Sequence, residues 1–512
     1  MLKGTKAFEP LRPSNSKKTV DPNSLAPKGG RDQRSTTTFS NRDSPKENEA
    51  AKAAEIEPNE QTQFSDDPSV FVTPAKAELT DAEEPVKSSW VPTNVHAFTF
   101  AGIFAFTAIL YFRPYELIPG LSGFTSMALI AAAVTLLIYI PTQLSVMGNL
   151  TRMTVEIKCA LFLVVSALVT MPLAKDLSLA WTEFSEVFIK TVIIFIVMIN
   201  TLTSTARLKA LMWLGIGVGL MFSYQSIELY QKGEFQTDGY RVSIDFGGMF
   251  GNPNDLSIHL VIFIPLAFVL GLASRNWIMK AVYFVASGLM IAAVIVSQSR
   301  GGFLGILALT ALLAWKLGRS HRAKTMISTG VLLIGLLVFA PGNYGTRVAS
   351  IFIPSLDPVG SSGARIEALE RSMIVTLRNP LGIGIGNSPI VGLHELGTHN
   401  AYTQVSSELG WLAILAYLIL LVYPIRRLDS VERELYRRND HSLMYLLAIG
   451  LQASIAAYMV SSFFASVAYL WYVYYPIAFA IGLRHIFQNQ ENLALPASGD
   501  AETSIEQDVR NA

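Results

Sequence analysis

The sequence carries little charge for its length. Asp, Glu, Lys and Arg make up 15% of the 512 residues and hydrophobic residues 51%, whereas a soluble globular chain has about a quarter charged residues. Many of these charges lie before residue 95, so the rest of the chain is poorer still. This composition predicts a membrane protein rather than a soluble domain.

Two further shortages exclude classes of function. The net charge is only +1 and no dense Lys/Arg tract occurs, which argues against nucleic acid as a partner. Cys159 is the single cysteine, so no intramolecular disulfide can form, and no Cys/His cluster has zinc-ligand spacing. The first ten residues lack the apolar core of a cleavable signal peptide, and we expect the later spans to drive membrane insertion.

Both ends of the chain are predicted to be disordered cytoplasmic tails. Residues 1–94 are rich in Ser, Thr, Pro, Asn, Asp, Glu and Lys and have few aromatic residues. Such a segment cannot bury enough apolar area to offset the entropy lost on ordering. A regulatory or partner-docking arm is the functional alternative. The second predicted tail covers 486–512.

Residues 95–485 are predicted to form an all-α polytopic membrane domain with about twelve transmembrane helices. Apolar runs of roughly 17 to 22 residues recur from Val95 onward, each long enough to cross a bilayer. The predicted spans are 95–112, 123–141, 159–174, 187–204, 208–226, 256–273, 279–297, 302–318, 325–341, 405–424, 442–463 and 465–483.

Orientation is predicted from the Lys/Arg content of alternate loops. The richer set, which we assign to the cytoplasm, holds Arg152, Lys158, Arg207, Lys209, Arg275, Lys280, Lys316, Arg319, Arg322, Lys324, Arg426, Arg427, Arg433, Arg437 and Arg438. With an even number of spans, both termini are cytoplasmic and the long 342–404 loop faces outward.

Trp181, Trp411 and Trp471 fall near predicted span ends, as interfacial aromatic residues do. A major-facilitator transporter would place its long loop in the middle and inside, so the late outward loop disfavours that class.

Two of the outward segments precede the sixth predicted span. In 111–121, Arg113 and Glu116 sit at a Pro-broken span end, where an interfacial turn with an Arg–Glu pair is favoured over a functional site. In 238–257, glycines and an Asn-Pro-Asn sequence indicate irregular backbone. Asn254 or Asp255 can cap the next helix, which explains Asn254 as well as a functional role does. Arg241 is a candidate anion contact.

A third outward segment, SQSRGGFLG at 297–305, contains Arg300 between two spans. An arginine at this place can extend its side chain to the lipid head groups. However, its sequence neighbours are Ser297, Gln298 and Ser299 rather than an acid, and two glycines follow that allow close backbone approach. We therefore favour a functional role for Arg300.

The long outward loop contains a predicted amphipathic helix over 363–378, with Ile366, Leu369, Met373 and Leu377 on one stripe. Asn379-Pro380 ends it. Glu367 precedes Arg371 by four residues, the spacing of an ordinary helical ion pair, so Arg371 is predicted to be structural. Arg365 has no acid three or four residues further on. At a helix N-terminus, it is a candidate anion ligand.

Two stretches in this loop look like known binding motifs but lack the required spacing or context. Gly382, Gly384 and Gly386 do not form a dinucleotide fingerprint, because no βαβ unit surrounds them. HELGTH at 394–399 places its two histidines five apart with a glycine between, so it is not a zinc site. His399-Asn400 remains at the start of the next span. His399 is either a hydrogen-bonded structural residue or a general base near neutral pH.

The chain resembles the O-antigen ligase/polymerase family of bacterial envelope glycan enzymes over roughly 95–485. The matching pieces stand in the family's order: GNPN before a span, SRG in SQSRGG, an amphipathic helix that starts near Arg365 and ends NPLGIGIGN, and HNAYTQVSSELGWLA entering the next span. Of the family's ligase pattern, His399, Asn400 and Gly410 fit. Ala413 departs from it, since Gly, Thr or Tyr is usual there. YFRPYELIPGL is similar to a subgroup associated with exopolysaccharide or exosortase clusters, which leaves the acceptor open.

This resemblance implies a metal-independent, inverting glycosyltransferase that needs no cofactor. Its donor would be a polyprenyl-pyrophosphate-linked glycan at the outer face of the bacterial cytoplasmic membrane, and its acceptor a glycan, lipid or protein. Arg300 and Arg365 are expected to hold the pyrophosphate, because guanidinium groups bind phosphate oxygens and stay charged. His399 is expected to deprotonate the acceptor hydroxyl. The residues expected to contact substrate are Arg113, Arg241, Asn254 and Asn400.

Several alternatives remain open at this point. Within the family, the chain could be an O-antigen or exopolysaccharide polymerase instead of a ligase, or a protein O-oligosaccharyltransferase. From another class, it could be a lipid or glycan transporter, which would need charged residues buried within the spans. Apart from Lys190, the spans carry few charges. A non-catalytic scaffold of an envelope assembly complex is the weakest alternative.

Overall fold

In the computed structural model, the described residues are 95–117, 120, 124, 126–237, 240–244, 250–342, 344–351, 353–356, 361–391 and 397–494. Within them all regular structure is helical, apart from one isolated bridge between Thr237 and Arg241. The predicted all-α polytopic membrane fold is confirmed. The predicted tail 1–94, most of the second tail and the first half of HELGTH lie outside the described residues.

The helices follow one another along the chain, and most of the connections between them are short. In order they are α1 Ala97–Phe112, α2 Pro114–Leu117, α3 Met127–Met147, α4 Val155–Thr170, α5 Leu177–Thr182, α6 Ile189–Thr201, α7 Thr205–Lys232, α8 Pro253–Ala273, α9 Trp277–Val296, α10 Arg300–Leu317, α11 Arg322–Val338, α12 Tyr344–Ala349, α13 Ser361–Arg378, α14 Ser388–Val391, α15 Ala401–Leu409, α16 Trp411–Arg437, α17 Leu443–Ser461 and α18 Trp471–Ala494. Short 3-10 turns cover Met171–Leu173, Pro354–Leu356 and Ser462–Phe464, and a π-helical turn covers Glu183–Phe188.

Every predicted span overlaps a helix. In the part of the chain that the structure describes, eight helices are long and apolar enough to cross a membrane: α3, α4 with its 3-10 extension, α7, α8, α9, α10, α16 and α17 with its 3-10 extension. Helix α1 is apolar but shorter. The total of twelve crossings stays a prediction.

Two predicted boundaries were wrong. The span expected to begin at residue 405 begins at Trp411, and the residues before it form the separate short helix α15. Gly410 lies between the two helices with φ +89°, a conformation that favours glycine and interrupts the helix. At the other boundary, α18 continues to Ala494, past the point where the second tail was expected to start.

Helices α8 and α17 form the centre of the bundle, because they are the most buried of the eight spanning helices. They pack against each other, and both pack against α10. Small residues allow this close approach: a Cβ on Gly302 of α10 would lie 2.8 Å from Ser257 Cβ, and a Cβ on Gly305 would lie 2.2 Å from Ser461 Oγ. The first turn of α10, which carries Arg300, is thereby held against both central helices.

The two ends of the bundle differ in their polar chemistry. At the end where α10 and α16 terminate, Lys316 and Arg319 form ion pairs with Asp429 and the fully buried Glu432. The other end contains the junctions before α8, between α9 and α10, before α15 and between α17 and α18. We call this second end the site end.

Candidate active site

The first cluster at the site end joins the segment before α8 to the junction between α9 and α10. Arg241 donates from Nη2 to Asn254 Oδ1 at 3.1 Å and from Nε to the carbonyl oxygen of Ser297 at 3.4 Å. Ser299 donates from its hydroxyl to the same Asn254 oxygen at 2.9 Å. Arg241, Asn254 and Ser299 are all buried. The sequence analysis named Arg241 and Asn254 separately, and the structure brings them into one hydrogen-bond network.

Asn254 is not the cap of α8. Asn252 caps the helix, accepting a hydrogen bond from the Asn254 backbone N–H at 2.9 Å. The Asn254 side chain is therefore available to point into the bundle, where its amide oxygen accepts from two donors. Asp255, the other expected cap, lies in the first turn of the helix. The structural role of Asn254 is thus to connect two junctions.

Arg300 is the first residue of α10, and its side chain is buried. The preceding Ser299 caps the helix by accepting from the Gly302 N–H at 3.1 Å. A buried cation at a helix N-terminus is placed next to the positive end of the helix dipole, which is unfavourable for the cation and attractive for an anion. Arg300 is therefore positioned to bind negative charge.

The sequence analysis missed a further arginine in the same neighbourhood. Arg347 in α12 is 2% exposed; its Nη1 hydrogen-bonds to the Tyr240 hydroxyl, and its guanidinium lies 5.0 Å from the centre of the Tyr240 ring. On the same short helix, Tyr344 donates to the carbonyl oxygen of Ser299 at 3.2 Å. The loop between α11 and α13 therefore contacts Tyr240, next to Arg241, and Ser299, next to Arg300. The sequence signal that could have pointed to Arg347 was a single basic residue in the otherwise weakly polar stretch YGTRVAS.

His399 and Arg365 form the second part of the site. Burial lowers the pKa of His399, and the positive charge of Arg365 lowers it further. Both effects favour the neutral imidazole, which is the form that can accept a proton. His399 also has φ +48°, which is uncommon for a non-glycine residue and occurs at functional sites where surrounding structure enforces it. Arg365 therefore lies near enough to His399 to act on its charge. Their joint role in one site stays a prediction.

Asn400 has a structural explanation. It caps α15 by accepting from the backbone N–H groups of Tyr402 at 2.8 Å and Thr403 at 3.2 Å. The cap fixes the start of α15 and, with it, the position of the adjacent His399. Its predicted contact with substrate stays a prediction.

One short segment, Ser461–Ser466, touches both parts of the site. Ser461 donates to the carbonyl oxygen of Gly301 at 3.0 Å, next to Arg300. Ser466 shares a hydrogen bond of 3.0 Å with Thr398, next to His399. The residues adjacent to Arg300 and His399 are therefore tied to the same connection between α17 and α18.

The glycines of LGIGIGN bind the C-terminal turn of α15. The N–H of Gly384 donates to the carbonyl oxygen of Glu408 at 3.0 Å. The Glu408 carboxyl accepts from the N–H of Gly386 at 3.0 Å and of Ser388 at 3.2 Å. Burial raises the pKa of Glu408 to about 7, against the effect of these hydrogen bonds. Sequence reasoning missed Glu408; the signal was one acid in the weakly polar run that precedes Gly410.

Arg113 lies at the C-terminal end of α1 and is half-buried, with φ +44°. Positive φ values also occur at Phe250, Gln298 and His399. Each of the four outward segments singled out from the sequence thus contains a non-glycine residue in this conformation. Such residues persist where surrounding contacts over-determine the backbone.

Comparison with known proteins bears on this site. Residues 285–418 match the family model described as O-antigen ligase. This interval is therefore similar to O-antigen ligases, as the sequence analysis predicted. It contains Arg300, Arg365 and His399, whereas Arg113 and Arg241 precede it.

The chain is also similar to the probable peptidoglycan glycosyltransferase FtsW of Halorhodospira halophila (strain DSM 244 / SL1). The two are 32% identical over 128 residues, which cover 23% of this chain and 31% of that protein. The chain thus matches about a third of the relative's length. Two separate comparisons thus find similarity to membrane proteins of glycan assembly, each over part of the chain.

Proposed function

We propose that the protein transfers a glycan from a polyprenyl-pyrophosphate donor to an acceptor hydroxyl at the outer face of the bacterial cytoplasmic membrane. The observation that carries this proposal is that the charge of Arg365 acts on the imidazole of His399, both residues lying in the interval that matches the O-antigen ligase family model. A base and a fixed cation are the two groups that the transfer of a sugar from pyrophosphate requires.

The reaction would be a direct displacement with inversion. As the acceptor oxygen forms its bond to the anomeric carbon, the hydroxyl proton passes to His399, and the bond from that carbon to the pyrophosphate oxygen breaks. Arg300 and Arg365 would hold the pyrophosphate and stabilise the charge that develops on it. The burial of Arg300 strengthens this effect, because charge interactions are screened less in a buried site.

The predicted substrate contacts fall into two groups. Arg241 and Asn254 would shape the donor side of the site, since their network borders the junction that carries Arg300. Asn400 would act on the acceptor side beside His399. Arg113 would contact substrate from the end of α1. No cofactor or divalent metal takes part in this scheme.

The topology follows from the same proposal. The site end would face outward, and the end with the ion pairs of Lys316 and Arg319 would face the cytoplasm, together with both termini. This orientation agrees with the excess of Lys and Arg in the cytoplasmic loops of membrane proteins.

The test is conversion of a purified lipid-linked oligosaccharide donor in detergent by the wild-type protein and by His399→Ala. Loss of a general base lowers the rate by roughly 10²- to 10⁴-fold, and we expect a loss in this range. His321→Ala is the matched control, because His321 is exposed at the opposite end of α10. An undiminished rate in a well-folded His399→Ala protein contradicts the base assignment. Failure of the wild type to convert any donor supports a transporter instead.

The acceptor is determined by a deletion strain. Loss of a ligase leaves long lipid-linked chains unattached, whereas loss of a polymerase leaves single repeat units. Loss of glycosylation on exported proteins identifies a protein O-oligosaccharyltransferase.

A further inference from the structure

One face of helix α13 packs against the rest of the protein. Ala368 and Ser372 are buried on this face, and one turn further along Thr376 Oγ1 lies 3.1 Å from Ser406 Oγ of α15. These residues are four apart, so they line one side of the helix. Their small size allows α13 and α15 to pack closely.

The apolar stripe of α13 is not on this buried face. Ile366, Met373 and Leu377 are 52%, 54% and 67% exposed. A helix turns about 100° per residue, which places the three within about 40° of one another. Three of the four residues in the predicted apolar stripe thus face away from the protein, whereas the fourth, Leu369, is partly buried.

A charged stripe runs beside the apolar one. Glu367, Arg371 and Arg378 are exposed, and by the same turn per residue they lie about a third of a turn round from the apolar stripe. Glu370, which is exposed, and Ile374, which is 48% exposed, lie between the two stripes. The outer surface of α13 is therefore apolar along one edge and charged along the other.

The apolar stripe continues onto a membrane-spanning helix. Trp411, the first residue of α16, donates from its indole N–H to the carbonyl oxygen of Thr376 at 3.0 Å and from its backbone N–H to that of Pro380 at 3.0 Å. On the first turns of α16, Leu412 and Leu415 are 69% and 56% exposed. A tryptophan at the end of a span marks the membrane–water interface, so α13 lies at this depth.

From this continuity we propose that α13 is an interfacial membrane helix. Its apolar stripe would be immersed in the acyl chains of the leaflet at the site end, and its charged stripe would face head groups and water. A helix with one apolar and one charged exposed half binds membranes in this orientation. Bilayer lipid is the occupant because it already surrounds Leu412 and Leu415 on the adjoining span. The inference does not depend on the reaction proposed above.

Site-directed spin labelling tests the proposal in the full chain reconstituted into phosphatidylethanolamine–phosphatidylglycerol vesicles. Cys159→Ala first removes the single native cysteine. Labels are then placed at Met373 and Leu377 on the apolar stripe, at Glu367 and Arg378 on the charged stripe, and at Leu412 as the lipid-exposed reference. Accessibility to oxygen, which partitions into lipid, is compared with accessibility to a water-soluble nickel chelate.

We expect labels at Met373 and Leu377 to resemble Leu412, with an oxygen-to-nickel ratio several-fold above that at Glu367 and Arg378. Equal, nickel-dominated accessibility at all four α13 positions would place the stripe in water and overturn the proposal. Protection of Met373 and Leu377 from both reagents, with spin–spin broadening that disappears on dilution with unlabelled protein, would overturn it in favour of a second copy of the chain.

Discussion

Arg365 and His399 are far apart in the chain but close in space. The pKa of His399 is lowered first by burial and then by the charge of Arg365. Helix α13 carries Arg365 and packs on α15, whose start carries His399. The packing of α13 on α15 therefore sets the distance between Arg365 and His399.

Replacement of Arg365 by Gln should raise the pKa of His399, because it removes a positive charge that disfavours the imidazolium. If His399 acts as a base, the acidic limb of the pH–rate profile should move to higher pH. Histidine NMR with ¹³C labelling measures the pKa without an assay. Arg371→Gln on the same helix is the matched control and should leave the pKa of His399 unchanged. An unshifted His399 in Arg365→Gln would contradict the electrostatic coupling.

Replacement of Asn254 by Ala should destabilise the protein by about 1–3 kcal/mol, because it removes the shared acceptor of the Arg241 and Ser299 donors in a buried position. Asn254→Asp keeps an acceptor oxygen beside Arg241 and should retain more stability. Thermal unfolding in detergent compares them. Asn252→Ala, which removes the α8 cap, should cost about 1 kcal/mol. A fully stable Asn254→Ala protein would show that the network contributes nothing to folding.

Glu408 should make stability depend on pH. Burial raises its pKa from the ordinary value of 4.5 to about 7, so the folded protein holds this proton more tightly than the unfolded chain. The stabilisation is complete below pH 4.5 and is lost as pH rises to about 7. Glu408→Gln, which is neutral throughout, should flatten this part of the curve of melting temperature against pH.

The matched control for this experiment is Glu434→Gln, since Glu434 lies near the opposite end of the bundle on an exposed ion pair. Its curve should keep the wild-type slope between pH 4.5 and 7. Parallel curves for wild type and Glu408→Gln would mean that Glu408 ionises alike in the folded and unfolded states.

Replacement of Gly382 by Ala should destabilise the protein by about 1–3 kcal/mol or more. Gly382 has φ +95°, and an added Cβ would lie 2.3 Å from the backbone oxygen of Glu408, which cannot move aside as a flexible side chain could. Gly288→Ala in α9 is the control: nothing lies within 4 Å of its added Cβ, so it should be neutral or stabilising by up to about 1 kcal/mol. Equal melting temperatures for the two variants would contradict this explanation.

The spans could be predicted because each is a long apolar run, and crossing a bilayer requires just that. The amphipathic helix in the loop was also predicted, and it ends at Arg378 before Asn379 as expected. The start of α16 was missed because α15 and α16 form one nearly continuous sequence pattern. Only the backbone angle at Gly410 separates them, and hydrophobicity does not report backbone angles.

The candidate site residues were named from the sequence, and their roles stay predictions. Arg365 and His399 could be paired through the order of family motifs, but the direction of the α13 stripe could not. An apolar stripe looks alike whether it faces protein or lipid, and the small residues that actually face α15 carry little hydrophobic signal. Glu408 and Arg347 were missed because their partners depend on buried contacts between distant parts of the chain.

The contacts of Glu408 bear on how related proteins can be recombined. The carboxyl and carbonyl oxygens of Glu408 bind Gly384, Gly386 and Ser388, and the Pro380 carbonyl oxygen binds the Trp411 N–H. Hydrogen bonds within residues 380–411 thus join the beginning of this stretch to its end. A chimera that exchanges residues 380–411 as one piece keeps these hydrogen bonds within one parent sequence. A crossover between Ser388 and Glu408 instead takes the donors from one parent and the Glu408 acceptors from the other.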